Sequence, residues 1–291
     1  MKSHVLNAAM LESFESGVLN PLLEVVKRDR DLILEFRGQY ASIYCKGQRI
    51  DIRSCGGGNY QIETDNAFLK TQPKLDSKEA AAGFVEKELP HLKQAIATHQ
   101  SCGREIEFEQ ALIRANNLEP TLPTDYFAVD RQVPLGDRSD QVDVLGIYWP
   151  AKSRGFHEDV ALALIEVKFA LAGGVEEIAA QALRYYQYVQ VNIKDMAADA
   201  QELLRQKLRL GLITGASRDA LRKLEILPVS ADPKRVKIVL ALIDCNPRSS
   251  LLNRSFDVLG ELRSQVQVFH LGLGLFEEKG QPILASNAAE A

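Results

Sequence analysis

The chain has 291 residues, 46% hydrophobic and 25% charged, with 39 acidic and 35 basic side chains and a net charge of −4. That length supports a sizeable core, in one elaborated domain or two smaller ones. The near balance of charge excludes a global pull toward polyanions, so any nucleic-acid partner has to meet a local basic patch.

No apolar run approaches the roughly 18 residues that span a bilayer. The opening "MKSHVLNAAMLESFES" carries acids where a signal-peptide core would lie. The expectation is a cytoplasmic protein with no membrane partner. Cys45, Cys55, Cys102 and Cys245 are scattered without CxxC spacing, which predicts free thiols and no structural zinc.

In chain order, residues 5–28 have helical periodicity interrupted at Asn20-Pro21, since proline ends or restarts a helix. "DLILEFRGQYASIYCKGQRIDIRS" alternates apolar and polar residues between Gly38 and Gly47, the pattern of a β-meander. "CGGGNYQIET" reads as a turn and a further strand. These elements predict a small helix-plus-sheet module over 1–72. Residues 73–102 are expected to hold the end of a polar linker and a connecting helix, and 103–291 a second domain. There "REIEFEQALIRANN" reads as helix, followed by the strands "YFAVDRQVPL", "QVDVLGIYWP" and "VALALIEVKFA". Gly173-Gly174 breaks the chain before a strong helix, "VEEIAAQALRYYQYVQ". "VKIVLALIDC" reads as a buried strand, "SSLLNRSFDVLGELRSQ" as helix, and "VQVFHLGLGLF" as a closing strand before a frayed tail.

"ALALIEVKFA" raises the chemical question. Glu166 and Lys168 stand in an otherwise apolar strand, and positions i and i+2 share one face. Burying charge is costly unless it is paired or binds a metal. The preceding strand carries Asp143. If the two strands are antiparallel neighbours, both carboxylates converge at one sheet edge. Two carboxylates plus water are a usual set for Mg²⁺, at about 2.0–2.1 Å. A neighbouring lysine can orient water or neutralise a phosphoryl transition state.

Asp143 followed by Glu166-x-Lys168, with these elements around them, resembles the PD-(D/E)XK nuclease superfamily, and its RecB-like branch most. "DQVDVLGI" is similar to that branch's Asp strand, "LALIEVKFA" to its Glu-x-Lys strand, and "QALRYYQYV" to its Gln-then-aromatic helix. The resemblance covers roughly residues 103–245. It departs in having Val142, not proline, before the aspartate. It implies an α/β restriction-endonuclease-like fold with an αβββαβ core and a mixed sheet flanked by helices, beside the N-terminal α+β module. It also implies Mg²⁺ or Mn²⁺ held by Asp143, Glu166, the Val167 carbonyl and a helix glutamate. Glu105, Glu107 and Glu109 are the candidates for that glutamate, with Glu109 favoured because it borders the apolar face. Lys168 and Gln181 would be catalytic.

Arg184, Tyr185 and Arg248 are candidate nucleic-acid contacts, with core packing an equal expectation for Tyr185 and Tyr186, and a turn the bland reading around Arg248. The implied activity is hydrolysis of nucleic acid, DNA favoured over RNA, in repair, restriction or defence; a homodimer or protein partner stays open. Two alternatives stand beside it. One is a non-cleaving nucleic-acid-binding or assembly module on the same fold. The other is a metabolic α/β protein in which Glu166 and Lys168 form a structural pair. "GLGLFEE" and "SCGGGNY" lack the rest of a dinucleotide fingerprint and a P-loop.

Overall fold

A computed structural model describes residues 3–98, 103–118, 123–136, 141–169 and 175–272. Helix α1 (Ala8–Glu15) is capped by Asn7, whose side chain accepts the Met10 N–H at 2.9 Å. Helix α2 (Asn20–Arg28) carries Pro21 in its first turn, where a missing N–H costs no intrahelical bond. Strands β1 (Leu32–Phe36), β2 (Tyr40–Cys45), β3 (Gln48–Gly56) and β4 (Asn59–Glu63) form the expected antiparallel meander. Strand β5 (Lys74–Leu75), placed by the sequence in the linker, pairs with β4 instead and completes a five-stranded sheet. Helices α3 (Lys78–Gly83) and α4 (Leu89–Thr98) are joined by a π-helical turn, Phe84–Glu88, just ahead of Pro90. The wider turn accommodates a residue that cannot donate to the helical ladder.

The second half runs α5 (Arg104–Asn117), β6 (Tyr126–Pro134), β7 (Gln141–Tyr148), β8 (Ala161–Phe169), α6 (Val175–Arg209), α7 (Arg218–Ile226), β9 (Lys237–Ile243), α8 (Ser250–Ser255) and β10 (Val266–Leu271). Its sheet has the order β10-β9-β8-β7-β6. The pairs β6–β7 and β7–β8 are antiparallel; β8–β9 and β9–β10 are parallel. Among the described residues the chain is thus a mixed α/β protein with two five-stranded sheets and eight α-helices.

Alternation along β8 divides its two faces. Ala163, Ile165 and Val167 pack with Phe108, Leu112 and Ile113 of α5. Leu162 and Leu164 join the main core with Ile178, Ala182, Tyr185 and Val189 of α6, the stripe expected from helical spacing. Helix α6 is longer than its sequence signal suggested, and just past its end at Arg209 stands Gly211, whose φ of 67° suits a helix terminator. The segment read as one helix near the carboxyl end is α8 followed by a 3₁₀ stretch broken at Gly260, φ 52°. Gly173-Gly174, Cys102, the far end of the closing strand and the Ala-rich tail lie outside the described residues.

The two sheets are joined by buried polar contacts as well as one apolar core. Arg114 of α5 donates to the carbonyls of Val26, Lys27, Asp29 and Leu32 at 2.8–3.3 Å, placing a cation at the carboxyl end of α2. Lys207 of α6 meets both oxygens of Glu35 on β1 at 2.8 and 2.9 Å. Arg37 meets Asp130 of β6 at 2.7 Å, and His4 meets the same carboxylate at 2.7 Å. Burial alone would raise the Asp130 pKa, but the His4 hydrogen bond and the Arg37 charge hold it below the usual carboxylate range.

Candidate active site

The site forms where β7 and β8 part. Their antiparallel ladder runs from Tyr148↔Ala161 to Val144↔Ile165. One residue further along β7 the side chain of Asp143 takes over the backbone's role: its Oδ2 accepts the Val167 N–H at 2.8 Å. In an extended strand a residue's N–H and C=O leave on the same side, so the Val167 carbonyl faces the same gap as Asp143.

Glu166 lies inside this opening and is only 2% exposed. Both its oxygens are engaged. Oε1 accepts from Lys168 Nζ at 2.5 Å and from Gln181 Nε2 at 2.7 Å. Oε2 faces the Tyr185 hydroxyl at 2.5 Å. Gln181 also donates to the Tyr185 hydroxyl at 2.6 Å, and that hydroxyl stands 2.7 Å from the Gln141 carbonyl. Helical spacing places Gln181 and Tyr185 on one face of α6, directly over the even-numbered side of β8. Asp143, Glu166, Lys168 and Gln181, all chosen from the sequence, are therefore brought together.

The cluster carries more negative than positive charge. Burial, and then repulsion from Glu166, pushes the Asp143 carboxyl up to about 8, against the smaller opposing effect of the Val167 N–H. Burial alone would lower the Lys168 pKa, but the charge and hydrogen bond of Glu166 outweigh it, so Lys168 is held protonated. Glu105 Oε1 is shielded from solvent without a hydrogen bond and lies 3.5 Å from Lys168 Nζ.

Several sequence expectations take a different form. Glu109, favoured as the helix glutamate for a metal, is bound to Arg131 at 2.7 Å, and Arg131 is fully buried over the Tyr44 ring at 4.1 Å. Burial raises the Glu109 pKa against the pull of Arg131. The acid of α5 that reaches Lys168 is Glu105, one turn earlier. Tyr185, a candidate nucleic-acid contact, is fully buried beneath Glu166, so it supports the carboxylate and offers no face to a base. Arg184 is half-buried on α6, next to Tyr185. Arg248 is exposed beyond the carboxyl end of β9, next to the strand end that bears Lys168. Arg131, which the sequence reading passed over, sits inside the strand "YFAVDRQVPL"; a buried arginine with an acid on the adjoining helix was the available signal.

The donor set fits a divalent cation in one respect: burial, and then repulsion from Glu166, keep a proton on Asp143 near neutrality, and a cation held there would offset that repulsion. Among the described residues no three His, Cys, Asp or Glu side chains stand together as a complete metal cluster. An ion here would rest on Asp143, Glu166 and the Val167 carbonyl, with solvent completing the shell, as is usual for Mg²⁺. Among the described residues no helix is long and apolar enough to cross a membrane. Compared with protein-family models, curated proteins and solved structures, the chain has no match.

Proposed function

We propose that the chain is a metal-dependent hydrolase of nucleic-acid phosphodiesters, DNA favoured, built on a restriction-endonuclease-like core. The observation that carries this reading is the convergence of Asp143, Glu166, Lys168 and Gln181 at the parted end of β7 and β8. The order α5-β6-β7-β8-α6-β9, with three antiparallel strands and a fourth parallel to β8, supports the αβββαβ core. Asp143, Glu166 and the Val167 carbonyl would hold Mg²⁺ or Mn²⁺. When bound, such an ion lowers the pKa of water and stabilises charge on a phosphoryl oxygen. Lys168 supplies a protonated donor beside Glu166, suited to orienting water or balancing transition-state charge. Gln181 and Tyr185 fix the Glu166 carboxylate in one orientation.

A second reading has its own observation. Both Glu166 oxygens are satisfied within the protein, as a non-cleaving binding or assembly module would allow. The test is cleavage of single- and double-stranded DNA and of RNA with Mg²⁺, Mn²⁺ or EDTA, using the native chain and Lys168→Ala. The expected result is metal-dependent cleavage that falls about a hundredfold or more in the variant, as when one transition-state donor is removed. No cleavage of any substrate, with no Mg²⁺ or Mn²⁺ binding by calorimetry, would favour the structural pair.

A further inference from the structure

Two consecutive residues of α5 meet two consecutive residues at the end of β8. Glu105 lies 3.5 Å from Lys168, which is part of the candidate site. Beside them Arg104 lies over the Phe169 ring, 5.4 Å from its centroid. Successive side chains of a strand leave on opposite faces, so Arg104 and Lys168 flank the end of β8. The Phe169 ring is itself stacked on Phe108 of α5, at 5.4 Å and 16°. Phe169 and Phe108 are both half-buried, whereas Arg104 is exposed. Among the described residues Arg104 stands in no ion pair. The ring holds the guanidinium through its π face, a contact that uses none of the five N–H donors. A guanidinium supported in this way presents a preset fork that suits the oxygens of a phosphate.

We infer that Arg104 grips a phosphate next to the scissile one, on the α5 side of the candidate site, with Phe169 and Phe108 as the support that positions it. The inference rests on the hydrolase reading and deepens it. The carboxylates of the site repel a polyanion, so affinity has to come from cations on the flank. Lys168 is engaged by Glu166 at 2.5 Å, whereas Arg104 is turned to solvent. A backbone contact carries no sequence information. The substrate class is therefore a polynucleotide held through its charged backbone, with a phosphate on at least one side of the bond that is cut.

The test uses fluorescence anisotropy in Mg²⁺ with the full chain carrying Lys168→Ala, so that substrate persists. Probes are labelled oligothymidylate, oligodeoxyadenylate and an uncharged methylphosphonate form of the oligothymidylate, across a series of salt concentrations. Adding Arg104→Ala should weaken both charged strands alike, about tenfold, the scale of one charge-assisted contact. It should also reduce the slope of log affinity against log salt by about 0.7, the value for one phosphate contact on a single strand. Phe169→Leu removes the ring but keeps the cation, so affinity should fall less and the slope should hold. Arg222→Ala removes an equal charge from an exposed position on α7. The neighbouring Lys223 is tied to the β7–β8 connection, at the other end of the ladder from the site, so this variant should leave the slope unchanged. Unchanged affinity and slope in Arg104→Ala, an equal loss in Arg222→Ala, tight binding of the uncharged strand, or no binding to any strand overturns the inference. Cleavage by the native chain with an unchanged slope in Arg104→Ala would remove the contact and keep the hydrolase. Arg104-dependent binding without cleavage by the native chain would keep the contact and remove the hydrolase.

Discussion

Glu166 shows how a charge is made tolerable inside an apolar strand. Lys168 neutralises it, and Gln181 and Tyr185 each fill a further acceptor site. Tyr185→Phe keeps the ring in the core but removes one donor to a buried carboxylate. The expected loss is about 1.5–3 kcal/mol, read from denaturant unfolding; an unchanged midpoint would show that this hydrogen bond contributes nothing. Asp143 gives a pH dependence. Its folded pKa of about 8 lies above the ordinary 3.8, so the fold favours the protonated acid. That contribution is fully present below about pH 4 and lost as pH rises through about 8. The metal-free protein should therefore lose stability across this window, and Asp143→Asn should flatten the profile of melting temperature against pH in EDTA. A divalent ion must displace the same proton, so calorimetric affinity should climb with pH and level off above about 8.

Strand β7 is shaped for a close neighbour. A Cβ on Gly146 would lie 2.9 Å from the Phe127 carbonyl oxygen, which belongs to the paired backbone of β6, and 3.5 Å from Ile165 Cδ1. Backbone held in a ladder has little room to retreat. Gly146→Ala is expected to cost about 1–3 kcal/mol through overpacking; a neutral result in chemical denaturation would show that the ladder can shift. The register shift between Ala128 and Asp130 on β6 lies just past this contact. It accompanies a change in how β6 presents its side chains, with Asp130 turned toward Arg37 and His4.

The two sheets depend on each other. Glu35 and Lys207 are 0% and 2% exposed and reach across the junction. Lys207→Met leaves a buried carboxylate without its partner and should cost about 3–5 kcal/mol. The shared core and the contacts of Arg114 and Arg37 predict one cooperative thermal transition for the whole chain. Two well-separated transitions by calorimetry would show that the halves unfold independently.

Periodicity alone determined most elements: the paired helices before the meander, α5, the run of three strands, and α6. Charged residues inside apolar strands singled out Asp143, Glu166 and Lys168, and Gln181 came from the resemblance of "QALRYYQYV" to a Gln-then-aromatic helix. The tertiary structure decided what depends on contacts between distant segments. It brought Lys74–Leu75 into the first sheet, paired Glu109 with Arg131, and turned Glu105 toward Lys168. It buried Tyr185 and set Arg104 over Phe169. A sequence pattern gives the face a side chain occupies on its own element; which partner meets that face is set by packing against elements far away along the chain.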